Sequence, residues 1–162
     1  MAAANALLNT VVNQTGIIEA RSIENKNGRI FLSGGSSGVV NVAGTLDASG
    51  KNSGERGGAV TITGENIALT GNASIDASGA AAGGSVLAGG DYQGGGDTPR
   101  ANALWMDASA HIAANATQDG PGGKVVLWSD EATRTYGSIS ATGNQAGGLV
   151  ESSGHYLDVA GI

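Results

Sequence analysis

The amino-acid sequence predicts an all-β fold, a right-handed parallel β-helix (β-solenoid) of about five coils, and three observations lead to this prediction. Short apolar runs alternate with period two, as at Val60 and Ile62, which is typical of strands with one buried face. Glycine or asparagine ends each run, as at Gly64. The pattern recurs about every 25–30 residues, and a unit this small cannot bury its own apolar face. Such units must therefore stack on one another.

Shifting the sequence against itself defines the register of the stack. A shift of 26 residues places Val60 on Val86, and shifts of 37 and 90 place Ile67 on Leu104 and on Leu157. Units of this length favour a solenoid over propeller blades, which need about 40 residues, and parallel crossovers are almost always right-handed. Five apolar residues share one anchor position and are expected to form a single inward stack: Ile18, Leu46, Ile75, Ile112 and Ile139.

The composition limits the class of partner. The net charge is −6, the isoelectric point is near 4.6, and only eight residues are lysine or arginine. Nucleic acids and anionic membranes are bound mainly through such basic residues, so neither is an expected partner. Cysteine is absent, which removes disulfides and thiolate metal sites. Hydrophobic residues make up 40% of the chain and charged residues 14%, a balance that favours a buried core over disorder.

The whole chain, 1–162, is interpreted as a single β-helix segment. Its first residues have no basic and apolar stretch of the kind found in a signal peptide, and its apolar runs are too short to span a membrane. Five coils about 4.8 Å apart make a short stack. We therefore expect the segment to be a piece of a larger protein.

An inserted loop is predicted at 91–101, because the shifts of 26 and 37 residues differ by 11. Insertions in repeat proteins become surface loops, often on the binding face. The loop offers four candidate ligand-binding residues suited to a sugar or a protein: Asp91, Tyr92, Asp97 and Arg100. A glycine-rich loop without a ligand is the alternative interpretation. In both cases we expect its deletion to leave the fold nearly intact.

Two tryptophans, Trp105 and Trp128, each follow an inward leucine and are expected to point outward. One interpretation is that the loop packs over them. The other is that their rings form an aromatic surface for carbohydrate.

Acidic residues beside the anchors are the only pattern with catalytic or metal-binding potential. Glu19, Asp47 and Asp76 would lie within about 5 Å of one another in stacked coils. Paired carboxylates serve glycoside hydrolysis or calcium binding, but residues that alternate with an inward anchor are expected on the solvent face beside a turn. His111 and His155 fall at non-equivalent repeat positions and do not converge on a triad. We predict no catalytic residue, no metal site and no cofactor, and the chain is not expected to be an enzyme.

Several glycine-bounded phrases carry a family resemblance. They are GGKVVLWSD at 122–130, GSISATG at 137–143, GGLVESSG at 147–154, NGRIFL at 27–32 and GTLDASG at 44–50. As an ordered set they resemble the filamentous-haemagglutinin-like exoproteins of Gram-negative two-partner secretion, which are large surface adhesins. The resemblance implies a secreted right-handed β-helix that passes through a dedicated outer-membrane transporter. The Asn-Pro-Asn-Gly-Ile motif of the family's secretion domain is absent, which places the segment just after the recognition motifs or at the start of the shaft.

The resemblance favours a structural or adhesive segment of a large adhesin, secreted or held at the cell surface and acting in cell adhesion and biofilm. A polysaccharide-processing β-helix enzyme and a part of the secretion domain recognised by the transporter are the alternatives. Expected partners are the rest of the parent exoprotein, the transporter during export, and a host or bacterial surface glycan or protein. End-to-end self-association is also expected. The sequons at Asn13, Asn72 and Asn115 leave glycosylation open.

Overall fold

The computed structural model describes residues 11–19 and 28–160. Its strands are β1 Val11–Gln14, β2 Ile17–Glu19, β3 Arg29–Ser33, β4 Val39–Val42, β5 Thr45–Asp47, β6 Ala59–Thr63, β7 Asn66–Leu69, β8 Ser74–Asp76, β9 Ser85–Ala88, β10 Ala103–Met106, β11 His111–Ala113, β12 Lys124–Trp128, β13 Ala132–Thr135, β14 Ser138–Ser140, β15 Leu149–Ser153 and β16 Tyr156–Val159. One 3₁₀ turn, Tyr92–Gly94, interrupts the part that links β9 to β10.

Every third strand joins the same sheet, which is the topology of a parallel β-solenoid. The first sheet has the order β1-β4-β7-β10-β13-β16, the second β2-β5-β8-β11-β14, and the third β3-β6-β9-β12-β15. All pairings between these strands are parallel. Each coil contributes one strand to each sheet, so the described residues form about five coils. The predicted all-β parallel solenoid is confirmed.

The register predicted from the repeats is also confirmed. Val60 pairs with Val86, and Ile67 pairs with Leu104. Leu104 pairs with Thr133, and Thr133 pairs with Leu157, so Leu157 lies in line with Ile67 and Leu104 across the sheet. The five anchors pair in sequence order and form one stack: Ile18, Leu46, Ile75, Ile112 and Ile139. The three central anchors are buried, and the two terminal ones are half-buried against the same core.

The first strand of the fifth coil, β13, has a polar inward face, which interrupts the apolar repeat of the sequence there. Thr133 and Thr135 are buried where earlier coils place Leu104 and Met106. The Thr133 hydroxyl donates to the Ser153 carbonyl at 2.6 Å, and the Thr135 hydroxyl lies 2.8 Å from that of Ser152. Among the described residues, no buried side-chain polar atom lacks a hydrogen-bond partner. Internal hydrogen bonds therefore compensate for the lost apolar contacts.

One corner of each coil requires glycine. A side chain at Gly58 would overlap the carbonyl oxygen of Gly28, and the same relation links each later glycine to the one before it: Gly84 to Gly58, Gly123 to Gly84, and Gly148 to Gly123. Only glycine lets the backbones approach this closely. We call these five residues the glycine column.

Within the described part of the chain, no helix combines the length and the apolar character that crossing a membrane requires.

Candidate functional site

The segment between β9 and β10 is a closed loop built around the 3₁₀ turn. The Asp91 carboxylate accepts a hydrogen bond from the Tyr92 amide at 2.6 Å and caps the turn. Gln93 adopts a left-handed conformation with φ of 54°. At the base of the loop, the Ala101 amide donates to the Gly89 carbonyl at 2.9 Å. The loop therefore leaves and rejoins the coil at neighbouring points.

An ion pair fastens the start of this loop to the third sheet. Asp91 Oδ1 lies 2.6 Å from Lys124 Nζ on β12. This hydrogen bond, with that from the Tyr92 amide, holds the pKa of Asp91 below its ordinary value. The carboxylate is thus charged at neutral pH and has a specific cationic partner.

Two further contacts fasten the rest of the loop. Arg100 Nε lies 3.2 Å from Asp130 Oδ1, just beyond β12. The Gln93 amide donates to both carboxylate oxygens of Glu151 on β15, at 3.0 and 3.2 Å. These exposed contacts are individually weak, but together they fix the loop on two neighbouring strands.

The loop covers apolar side chains on the outer face of the third sheet. Val126 alternates with the inward residues of β12, yet it is fully buried outside the main core. The 3₁₀ turn packs against β12, and a side chain at Gly90 or Gly94 would clash with the ring of Trp128. Trp128 is half-buried. Removing the loop would expose this apolar surface, so the structure gives a reason to expect that its deletion destabilises the fold, although the earlier expectation of a dispensable loop stays untested.

The four residues predicted to bind a ligand fall into two groups, those that hold the loop in place and those that do not. Asp91 and Arg100 form the ion pairs that hold the loop. Tyr92 and Asp97 are exposed, and the Tyr92 hydroxyl accepts a hydrogen bond from Gln93 Nε2 at 3.2 Å. Arg100 is exposed as well, but its guanidinium is paired with Asp130, so Tyr92 and Asp97 are the two exposed residues of the four that form no ion pair. A binding role for the loop stays a prediction.

The two tryptophans lie on different faces of the solenoid. Both point outward as expected, but the loop packs over Trp128 alone. Trp105 lies on β10 of the first sheet and is 39% exposed. Its Nε1 donates to Asp107 Oδ1 at 2.5 Å, and this bond, with that from the Gly71 amide, holds the pKa of Asp107 below its ordinary value. The two rings cannot form one shared carbohydrate surface.

The uncovered tryptophan belongs to a cluster that we call the aromatic patch: Trp105, Arg134, Tyr136, Tyr156 and Asp158. Trp105, Arg134 and Asp158 occupy one outward column in successive strands of the first sheet. The rings of Trp105 and Tyr136 meet edge to face, with centroids 5.0 Å apart and an interplanar angle of 75°. Arg134 Cζ lies 5.7 Å from the centroid of the Tyr156 ring.

A hydrogen bond joins two further members of the aromatic patch. The Tyr136 hydroxyl donates to Asp158 Oδ2 at 2.8 Å, which raises the pKa of Tyr136. Sequence reasoning considered only Trp105 here, although the shifts of 37 and 90 residues place Trp105 and Asp158 on the same position, that of Ala68. The alignment of Trp105 with Asp158 could therefore have been predicted from the repeats, whereas the contacts between the rings could not.

The acidic residues beside the anchors cap corners. Asp47 and Asp76 pair in neighbouring coils, as predicted. Asp47 Oδ1 accepts hydrogen bonds from the Ser49 amide at 2.9 Å and hydroxyl at 2.5 Å, and Asp76 Oδ1 accepts one from the Ser78 amide at 2.8 Å. Asp47 is buried, so the expectation of a solvent-facing position is wrong for it. The side chain of Glu19 lies outside the described residues.

No group of three or more histidine, aspartate or glutamate side chains within 11–19 and 28–160 is placed to hold a metal ion. His111 and His155 are both exposed, and His111 Nδ1 lies 2.5 Å from the Ser138 hydroxyl.

The sequon asparagines differ in environment. Asn13 and Asn72 are exposed, the latter in the turn before β8. Asn115 Oδ1 instead accepts hydrogen bonds from the Ser140 hydroxyl and from the amide and hydroxyl of Thr142. Its side chain is therefore engaged in a corner.

These features define a segment of a parallel β-solenoid that carries a fastened side loop and a separate aromatic patch. No protein-family model and no curated protein matches the chain. Among solved structures, the chain is similar to the crystal structure of the HMW1 secretion domain from Haemophilus influenzae, with a TM-score of 0.83 and 30% sequence identity. The similarity covers 94% of this chain and 41% of the other, so the chain spans less than half the length of that structure.

Proposed function

We propose that the chain is part of the β-helical secretion domain of a large exoprotein that a Gram-negative bacterium exports by two-partner secretion. The observation that carries this proposal is the similarity to the HMW1 secretion domain over 94% of the chain. This reading replaces the adhesive shaft as the preferred function, because the similar structure is a secretion domain. The outer-membrane transporter is the partner during export, and the mature exoprotein is secreted or held at the cell surface.

The last coil supports a continuing solenoid in the parent exoprotein. Val150 on β15 and Leu157 and Val159 on β16 are 40–49% exposed, although the corresponding residues of inner coils are buried. A further coil would bury these side chains and pair with the outer edges of β14, β15 and β16. The same edge would let copies of the isolated chain associate end to end, which light scattering over a range of concentrations would detect.

We propose that the segment has no hydrolase or lyase activity. Its paired carboxylates, Asp47 and Asp76, are engaged by the corner hydrogen bonds of Ser49 and Ser78. Glycoside hydrolysis needs one carboxyl group free to protonate the leaving group and a second to act as base or nucleophile. Turnover of any polysaccharide by the purified chain would contradict this proposal.

Excision from the parent exoprotein tests the proposed secretion role. The parent gene, with and without residues 28–160, is expressed together with the cognate transporter, and the exoprotein is measured in the medium and in cells. A secretion-domain segment predicts loss of export. Export of a correspondingly shorter exoprotein would contradict the proposal and favour the adhesive shaft.

A matched control separates recognition from general misfolding. Removal of residues 59–84 deletes β6, β7 and β8 and joins Gly58 to Ser85, which pairs with Ala59 in the intact chain. The remaining strands can stack in the same register, so the variant should fold. We expect it to be exported less well than the intact protein if the transporter recognises the domain, and equally well if the coils act only as a shaft.

A further inference from the structure

We propose that the aromatic patch on the first sheet is a binding site for an uncharged glycan. This inference is independent of the secretion role and rests on other residues. The chain has two tryptophans, three tyrosines and one phenylalanine, and three of these six aromatic residues lie in the patch. Trp105, on an inner strand, is 39% exposed, and Tyr156, on the last described strand, is 54% exposed. The stack does not need them, because its inward columns are complete without these outward rings.

The rings project from a surface of small residues. Ala68 pairs with Trp105 in the preceding coil, and Ala103 and Ala132 precede Tyr156 in the neighbouring outward column. The small side chain of Ala68 leaves the neighbouring side of Trp105 uncovered, and Ala132 does the same beside Tyr156, whereas Arg134 lies over one face of the Tyr156 ring. The result is a ring-lined surface about 10 Å long, given the spacing of about 4.8 Å between strands. That length suits a short oligosaccharide.

Polar groups lie at the margins of the same rings. Arg134 is exposed and stacks on Tyr156 with an array of N–H donors, while the carboxylates of Asp107 and Asp158 are acceptors. Sugar hydroxyls both donate and accept hydrogen bonds, and the C–H face of a pyranose ring is apolar. A surface that combines exposed aromatic rings with one donor group and two acceptors matches both properties.

The patch is preorganised. The edge-to-face contact orients Trp105 against Tyr136, and the Tyr136 hydroxyl is held by Asp158. Arg134 and Tyr156 lie on neighbouring strands of a rigid sheet. Sites on strands hold their geometry better than sites on loops, so little conformational entropy would be lost on binding.

Charge and size favour an uncharged glycan over other ligands. The two carboxylates, Asp107 and Asp158, and the net charge of −6 disfavour acidic sugars and anionic lipid surfaces. A stable protein interface buries about 800 Å² on each partner around an apolar centre. The rings of the aromatic patch are surrounded by alanines and, in earlier coils, by Asn41 and Asn66. These small and polar neighbours do not form the large apolar centre of a protein interface.

The test is binding of the intact chain to an array of uncharged, sialylated and sulfated glycans, followed by titration of the best oligosaccharide. We expect uncharged glycans to bind and Trp105→Ala to weaken their affinity about tenfold or more. Tyr156→Ala should also weaken binding, whereas Tyr156→Phe should retain it. In a Trp128→Phe background, the fluorescence of Trp105 should change on titration.

Matched controls locate the site. Tyr92→Ala and Asp97→Ala, on the side loop, should leave the affinity unchanged, and circular dichroism should show that every variant is folded. Binding that is lost in the loop variants but survives Trp105→Ala would move the site to the loop and overturn the proposal. Exclusive binding of acidic glycans, or no binding at all, would overturn it as well.

Discussion

Trp128 and Trp105 belong to the same coil and occupy the same kind of position, an outward residue next to a buried leucine, yet their environments are opposite. Trp128 lies under the loop at 91–101, whose glycines pack against its ring. Trp105 has no such cover and contacts Tyr136 on the surface. The difference shows that an outward position in a solenoid does not define exposure. Here the inserted loop at 91–101 packs over Trp128 and makes it a structural residue, whereas Trp105 stays accessible for binding.

The largest expected effect comes from a charge beneath the loop. Val126→Asp would place an unpaired carboxylate at a fully buried position, and we expect a loss of about 3–5 kcal/mol in the free energy of unfolding. Thr61→Asp is the control. Val126 pairs with Leu87 and Leu87 pairs with Thr61, so Thr61 points outward from the same sheet, but it is only half-buried. This control should cost less than half as much in denaturant unfolding. Equal costs would contradict the covering role of the loop.

Deleting residues 91–100, so that Gly90 joins Ala101, should destabilise the chain by about 2–4 kcal/mol. The deletion exposes Val126 and part of Trp128, and burying one such side chain is worth about 1.5–3 kcal/mol. It also leaves Lys124 without Asp91. The midpoint of denaturant unfolding measures the effect. An unchanged midpoint would show that the loop is dispensable, as predicted from the sequence.

Truncating each tryptophan compares the two faces directly. Trp128→Ala should cost about 2–3 kcal/mol, because it removes the contact between the loop and the sheet. Trp105→Ala should cost about 1 kcal/mol, mainly the edge-to-face contact with Tyr136. Parallel unfolding curves give both values. A larger cost for Trp105→Ala would mean that the aromatic patch is structural.

Two glycines of the loop offer a finer comparison. Gly94 and Gly96 both have φ of 66°, so alanine at either position suffers similar backbone strain of about 1 kcal/mol. Only at Gly94 would the new methyl group lie 2.6 Å from Trp128; at Gly96 the nearest atom is 3.3 Å away, on Asp91. Gly94→Ala should therefore be the more destabilising by about 1 kcal/mol. Equal destabilisation by Gly94→Ala and Gly96→Ala would mean that the loop shifts to accommodate the methyl group at Gly94 without further cost.

The smallest expected effect is the acid sensitivity of the loop. The pKa of Asp91 is lowered in the folded state, chiefly by Lys124, so its contribution to stability is complete above the unfolded pKa of about 3.9 and is lost as the pH falls through the folded pKa. Lys124→Met should reduce stability at neutral pH and flatten its dependence on pH below about 4. Fluorescence of Trp128 in a Trp105→Phe background reports the change. If Lys124→Met left the pH dependence of stability unchanged, the ion pair between Lys124 and Asp91 would not contribute to holding the loop.

The stack was predictable from the sequence because its register depends on local alternation and on one repeated anchor, as between Ile75 and Ile112. The fifth coil was harder, because Thr133 and Thr135 replace apolar residues and are compensated by hydrogen bonds that no hydropathy pattern contains. The fastening of the loop was not predictable either, since Lys124 and Asp91 are 33 residues apart. An ion pair between an inserted loop and a strand of the next coil leaves no periodic signal in the sequence.

The glycine column has a consequence for how such a chain can diverge in sequence. Between Gly84 and Gly123 the coil carries the extra loop, whereas the coil from Gly58 to Gly84 does not, so coil length is free to drift while the column stays in register. A single side chain at a column position would instead force two backbones apart. We expect saturation mutagenesis to reject almost every substitution at Gly58, Gly84 and Gly123, and a scan of inserted residues to find longer loops tolerated between Gly90 and Ala101. New surface chemistry can therefore be added to this scaffold one loop at a time without redesign of its interior.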